Sequence, residues 1–194
     1  MDQNTKKLID LLLKAYVGEC LARTRYIFYS KIARKENFFK VEEVFQMTAE
    51  NELEHAEWFS RMIKSLEPDF SFGQIEVEEH LKLGNTLQNL ETAIQGEHYE
   101  NTDFYQKIAD FAQMLGFKDI EKRVRSIAVA EKHHEERFRK LVENLQNNTL
   151  WKKEKEVYWV CRKCGYVHYG KEPPQECPSC GHTKEYYELM CESF

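Results

Sequence analysis

Proline is scarce in this sequence, four among 194 residues, and Pro68 alone stands before residue 147. Glycine is nearly as rare, at eight. Residues 1–146 are instead rich in Leu, Ala, Glu, Lys and Arg with apolar residues at helical spacing, so long helices are expected there. Long apolar runs are missing too: the longest near the N-terminus is broken by Asp10 and Lys14, short of the roughly 18 residues a membrane span needs. Met1-Asp2-Gln3-Asn4 lacks the basic-then-apolar opening of a signal peptide, so no membrane partner and a cytoplasmic location are expected. No basic run or stripe stands out and the formal net charge is −5, which argues against a nucleic-acid partner. With 42% hydrophobic and 31% charged residues, the composition is that of a soluble globular chain.

Six cysteines are present, five of them after residue 156 together with three of the four prolines. The chain therefore divides by composition into a helical part at 1–146, a linker at 147–156 and a small cysteine-rich domain at 157–194. Within the first part the periodicity predicts helices over roughly 4–34, 38–65, 86–114 and 118–146. Short turns near Lys35–Asn37 and at Gly116 join them in pairs, Gly116 serving as a left-handed cap. Pro68, Gly73 and Gly84 break the stretch 66–85 between the pairs. Two tight hairpins joined by one long crossover describe a ferritin-like four-helix bundle, mainly α.

An internal repeat supports the pairing. Ala15, Gly18, Glu19 and Thr24 recur 78 residues later as Ala93, Gly96, Glu97 and Thr102. Ala49, Glu52, His55 and Phe59 recur 79 later as Ala128, Glu131, His134 and Phe138. Each half is a helix with Gly-Glu followed by a helix with Glu-x-x-His. Residues three apart share a helix face, so Glu52 projects with His55 and Glu131 with His134. Glu19 and Glu52 are equidistant from the first turn; Glu97 and His134, and also Glu100 and Glu131, are equidistant from the second. Five carboxylates and two imidazoles thus converge on one layer.

Buried carboxylates at that density repel unless cations compensate them, and this ligand set in a bundle is the arrangement of a two-metal site. The pseudo-symmetry assigns Glu52 and Glu131 as bridges, Glu19 and Glu97 as terminal ligands, and His55 and His134 as one nitrogen ligand per metal. Glu100 has no mate, since Ala22 occupies the matching position, and it competes with His55 for one metal. Tyr26 and Tyr105 lie within reach of these ligands, either as packing or as hydrogen-bond donors to them. Glu42, Glu43, Glu121 and Glu143 are expected on solvated faces. His80, His98, His133, His168 and His182 are expected to be structural or exposed, Cys20 a packing residue and Cys191 an exposed thiol.

Cys161-Arg162-Lys163-Cys164 and Cys177-Pro178-Ser179-Cys180 form two knuckles, each followed by a glycine (Gly165, Gly181) that permits the positive φ of a chain folding back on its sulfurs. Four thiolates make a closed tetrahedral site for iron or zinc. Tyr158, Trp159, Tyr166, Tyr169, Tyr186, Tyr187 and Phe194 supply an aromatic load, and with so short a chain metal and rings are expected to hold the domain together.

Gly18-Glu19, Glu52-Leu53-Glu54-His55-Ala56, Gly96-Glu97-His98-Tyr99-Glu100 and Glu131-Lys132-His133-His134-Glu135, followed by the two knuckles, resemble the rubrerythrins in order and spacing over nearly the whole chain. The C-terminal part is similar to rubredoxin. The resemblance implies two irons in the carboxylate site and one held by Cys161, Cys164, Cys177 and Cys180, where zinc may substitute. It implies a peroxidase that reduces hydrogen peroxide to water in oxidative-stress defence. Electrons would come from NAD(P)H through a separate reductase or rubredoxin and pass through the four-cysteine iron. One iron would move between His55 and Glu100 with oxidation state. It implies a homodimer as well, with exchange of helix pairs allowed by the crossover. Cys20, where a small hydroxyl residue is expected, and Tyr99, where a second histidine is common, depart from the family pattern without removing a ligand. Two other readings stand beside this one: a ferroxidase or iron-handling ferritin-like protein, and a non-catalytic zinc-ribbon adaptor.

Overall fold

The computed structural model describes residues 1–71 and 82–191. Gly73, His80, Phe194 and the middle of the crossover lie outside them. Five helices dominate: α1 (Gln3–Lys35), α2 (Phe39–Leu66), α3 (Thr86–Tyr99), α4 (Tyr105–Met114) and α5 (Lys118–Gln146). Glu100–Phe104, between α3 and α4, is one π-helical turn, so the third predicted helix is continuous but locally underwound, with one extra residue in that turn.

Local chemistry sets the helix ends. The Asp2 carboxylate caps α1 by accepting the amides of Asn4 and Thr5 at 2.9 and 3.0 Å, worth about 1 kcal/mol. Asn37 (φ 63°) and Gly116 (φ 83°) turn the chain in the left-handed region between α1 and α2 and between α4 and α5. Asn85 and Gln88 form a reciprocal capping box at the start of α3. Thr86 N donates to Glu36 Oε2 at 2.9 Å, which pins the entry of the second hairpin to the turn of the first.

Packing leaves two apolar clusters stacked along the bundle. One gathers Leu8, Leu12, Ala15, Phe59, Ile63, Tyr105, Ile108 and Val124. The other gathers Ala22, Tyr26, Tyr29, Phe45, Ala49, Leu90, Ala93 and Phe138. On each ligand-bearing helix the charged residues fall in sequence between the two clusters: Glu19 between Ala15 and Ala22, Glu52 and His55 between Ala49 and Phe59. The core is therefore interrupted by one polar layer. Among the described residues no helix is long and apolar enough to cross a membrane.

Beyond α5, strands β1 (Val157–Cys161), β2 (Val167–Gly170) and β3 (Tyr187–Leu189) form an antiparallel sheet in the order β2-β1-β3. Trp159, Cys161, Cys177 and Tyr187 make its small buried core, and the Trp159 indole donates to Gly170 O at 3.0 Å. Of the other expected aromatics, Tyr186 packs half-buried against this core, whereas Tyr158, Tyr166 and Tyr169 are exposed, because a three-stranded sheet has only one face to bury. This part rests on the start of α2. The Phe39 and Tyr186 rings lie 4.3 Å apart, and Arg162 donates to Glu43 Oε2 at 2.5 Å. Residues 147–156 run over the same region, with Trp151 stacked on Phe38.

Two acids expected on solvated faces are elsewhere. Glu42 is buried and accepts from Arg34 at 2.6 Å; Glu43 is tied to Lys40 as well as Arg162. Both follow from contacts that helical periodicity does not contain. Glu121 is half-buried against Arg125, and Glu143 is exposed.

Candidate metal centre

Glu19, Glu52, Glu97, Glu131 and His134 are each no more than 2% exposed, and His55 lies beside them. Two ligand sets result, each with its donor atoms within 4.8 Å of one another: Glu19, Glu52, His55 and Glu131, and Glu52, Glu97, Glu131 and His134. Glu52 and Glu131 belong to both. His55 Nδ1 stands 2.9 Å from both Glu52 Oε2 and Glu131 Oε1; His134 Nδ1 stands 2.9 Å from Glu131 Oε2 and 3.3 Å from Glu52 Oε1. Glu100 is in neither set. It is half-buried, with Oε1 3.9 Å from where a Cβ on Gly18 would stand, next to Glu19.

Whether these residues fit a metal pair is answered by their unused atoms. Glu19 Oε2, Glu52 Oε1, Glu97 Oε2, both oxygens of Glu131 and His134 Nδ1 are buried with no hydrogen-bond partner. Such atoms are costly to bury unless something accepts their lone pairs. All of them belong to the two sets, and hard carboxylates with imidazole suit iron. They fit.

Without metal, protons compensate. Burial, then the charges of Glu131, Glu52 and Glu100, push the Glu19 carboxyl well up; burial first, with Glu52 and Glu131, pushes Glu97 to about 8. Burial would also raise Glu52, but the facing imidazoles of His134 and His55 outweigh it and hold it low. Burial disfavours the charged imidazoles, yet the facing carboxylates win, raising His55 to about 9 and His134 to about 12. A metal-binding imidazole must give up that proton. Loading the metal-free chain at neutral pH should therefore release at least two protons, and affinity should rise with pH across the range 6–8. Calorimetry in buffers of different ionisation enthalpy measures the release; none would contradict the protonated resting cluster.

Tyr26 and Tyr105, placed by sequence near the ligands, donate to them crosswise. Tyr26 of α1 bonds Glu97 Oε1 and Tyr105 of α4 bonds Glu19 Oε1, both at 2.5 Å. Glu97 and Glu19 are thus each fixed by a hydroxyl from a helix in the other hairpin.

The π turn went unread in the sequence, and side-chain amides satisfy it. Asn101 Nδ2 donates to Glu97 O at 2.7 Å and to Glu135 Oε2 at 2.8 Å, and Gln106 Nε2 donates to Asn101 O at 2.9 Å. Glu135 is buried, with His98 at 3.2 Å and Arg139 at 2.6 Å. A signal existed. The repeat offset is 78 residues as far as Thr24 and Thr102, but 79 for the pairs Tyr26–Tyr105 and Asn37–Gly116. One residue is inserted between 102 and 105, where the π turn lies.

At the other centre, Gly165 (φ 76°) and Gly181 (φ 71°) close the two knuckles, donating to Cys161 O and Cys177 O at 2.8 and 2.9 Å. Sulfurs of Cys161 and Cys180 are 3.8 Å apart, those of Cys164 and Cys177 3.7 Å, and all four lie within 4.8 Å. Burial pushes the Cys177 thiol up, but bonds from Tyr187 and the amides of Ser179 and Cys180 prevail and bring it to about 6. Such a thiol is ready to ligate as thiolate. Cys20 is half-buried and Cys191 exposed, both outside the four-cysteine set; His98 and His133 are exposed, His168 and His182 half-buried.

A bundle that shares two glutamates between paired Glu-x-x-His helices is a ferritin-like carboxylate protein with a two-metal site. The rubrerythrin family profile matches residues 10–142, and that of the rubrerythrin rubredoxin-like domain matches 159–188. The chain is 48% identical to a putative rubrerythrin of Methanocaldococcus jannaschii, covering 98% of this chain and 96% of that protein. It is 38% identical to rubrerythrin-1 of Clostridium acetobutylicum, covering 97% and 96%. In fold it resembles nigerythrin in a mixed-valence state (TM-score 0.63, 24% identity, 94% and 86% covered). It also resembles the bacterioferritin of Rhodobacter capsulatus (TM-score 0.66, 19% identity, 73% and 87% covered). The chain belongs to the rubrerythrin family. It is accordingly a di-iron oxidative-stress protein, an oxidoreductase, with a rubredoxin-type metal site in its C-terminal part.

Proposed function

We propose that the protein is a peroxidase: hydrogen peroxide, two electrons and two protons give two waters. The observation that carries this reading is the pair of ligand sets sharing Glu52 and Glu131. Residues 1–146 hold the di-iron site and 157–194 the electron-relay iron. An iron pair, when bound, supplies the two electrons together with Lewis-acid stabilisation of the departing oxygens.

The chain's own groups do the rest. Glu52 and Glu131, common to both ligand sets, would hold both ions, and Glu19 with His55, and Glu97 with His134, would complete each half. The Tyr26 and Tyr105 hydroxyls hold Glu97 and Glu19 in one orientation, so these ligands need no reorganisation during turnover. Glu100 has its carboxyl raised well up by burial and then by Glu97, Glu131 and Glu52, and it can hold a proton beside the site or enter as a seventh ligand in place of His55.

Electrons arrive from a reductase or rubredoxin through the four-cysteine iron. That part contacts Phe39, thirteen residues before Glu52 and so roughly 20 Å away along α2, which favours delivery across a head-to-tail homodimer.

Stopped-flow mixing of the anaerobically reduced, iron-loaded protein with each oxidant is the test. Oxidation by hydrogen peroxide should be much faster than by dioxygen, and Glu100→Gln should slow the peroxide phase. Equal or reversed rates would point to a ferroxidase. A colourless product of iron-rich growth containing only zinc would point to an adaptor.

A further inference from the structure

Resting on that di-iron reading, we propose that Arg137 orders the two metal positions by charge: it makes the ion held by Glu97 and His134 the more readily reduced of the pair. Arg137 lies one turn beyond His134 on the same side of α5. Its Nη2 donates to Thr48 Oγ1 on α2 at 2.6 Å, and Nη1 rests 3.8 Å from Met47 Sδ. The Thr48 hydroxyl is fully buried and donates to Val44 O at 2.9 Å, so its oxygen is free to accept from the guanidinium. Thr48 stands one turn before Glu52. A cation is thereby strapped across two ligand helices, one turn from a ligand on each.

That charge cannot leave, because a guanidinium stays protonated in proteins. Arg137 is half-buried, its Nε is buried without a hydrogen-bond partner, and among the described residues no carboxylate lies within salt-bridge distance of it. Burial opposes the charge, and the carboxylates that offset this are Glu97 and Glu52. Its field therefore falls first on Glu97, a member of one ligand set only, and then on the shared Glu52, rather than on a private counter-ion.

The repeat makes the asymmetry visible. The 79-residue offset sets Arg137 against Trp58, an uncharged ring. Arg61 and Arg123 lie over that ring at 4.9 and 3.6 Å, but both are exposed, and Arg61 is already paired with Glu57. Water screens such charges far more than a half-buried one. The first half has no half-buried cation at the matching place, and Glu100 does not decide the order: its Oε1 stands at Gly18 beside Glu19, but burial and then Glu97, Glu131 and Glu52 favour its neutral form. The asymmetry is therefore that of the cation alone, which favours the lower charge on the ion nearer to it. The half-reduced centre should hold its ferrous ion at Glu97 and His134 and its ferric ion at Glu19 and His55.

Potentiometric titration of the iron-loaded protein, one electron per step from dithionite through mediators, reads this directly. Arg137→Gln should lower the potential of the first step more than the second. The comproportionation constant should fall by about tenfold, a narrowing of about 59 mV, with a weaker mixed-valence electron paramagnetic resonance signal. Arg137→Lys should retain most of the gap. An unchanged gap, or equal displacement of both steps, overturns the ordering. Iron-edge anomalous refinement of half-reduced wild-type crystals needs no variant, and a ferric ion found at Glu97 and His134 overturns it equally. An iron count before titration separates the failures: wild-type chains that take up no iron pair overturn the di-iron reading together with this inference.

Discussion

Glu52→Ala should empty the di-iron site. Iron should fall from three per chain to one, the remaining ion being that of the four cysteines. The size of the effect follows from the overlap of the two ligand sets. A terminal glutamate serves one ion, so removing Glu19 or Glu97 leaves the other position intact. Glu52 belongs to both sets, and on the proposed reading its loss would take one oxygen ligand from each ion. It also removes the carboxylate that, with Glu131, holds His55 and His134 in register at 2.9 to 3.3 Å. The substitution leaves a void at a 1% exposed position, so a cost of roughly 2–4 kcal/mol to the metal-free fold is expected as well. Glu143→Ala, at an exposed position on the same bundle, is the control and should keep all three ions. Iron quantitation with thermal denaturation of the metal-free proteins checks both statements. Retention of two bundle irons by Glu52→Ala would mean that Glu52 does not bridge.

How much of this could be read before any coordinates depends on how local the cause is. Helix ends came within a residue because Asp2, Asn85 and Gly116 cap or turn the chain through bonds to neighbours a few positions away. The ligand layer was legible for a different reason. A duplicated hairpin makes sequence separation from the turn a measure of height, so Glu19, Glu52, Glu97 and Glu131 could be placed at one level by counting. Counting fails where the helix changes pitch. The π turn at Glu100–Phe104 adds one residue, and only the shift of the repeat offset records it. Counting also says nothing about which partner a side chain chooses across the bundle. Burial of Glu42 against Arg34, the crosswise bonds of Tyr26 and Tyr105, and the Arg137–Thr48 strap all join residues that periodicity treats as independent. The exposed tyrosines of the small sheet show the same limit, since an aromatic count does not say which face of a strand it lies on.

Cys161→Ala should separate the two halves of the chemistry. Cys161 is at once a ligand and core, 1% exposed and packed with Trp159, Cys177 and Tyr187. So small a core has little apolar area to offer, and metal ligation is the main term holding the sheet together. The variant should lose the four-cysteine iron, its thiolate-to-iron absorption bands and the near-ultraviolet dichroism of Trp159. The bundle stands on its own two apolar clusters and should be untouched. Oxidation of a pre-reduced di-iron site by hydrogen peroxide should then proceed once at the wild-type rate. Steady-state turnover with reductase should fall by about a hundredfold or more, a barrier of at least ~2.7 kcal/mol to electron entry. Two iron per chain, an unchanged single-turnover trace and a lost steady state would together place Cys161 on the electron route. Sustained turnover without the four-cysteine iron would instead mean that electrons enter the bundle directly. The small domain would then be a docking element, and its exposed tyrosines would be the next residues to change.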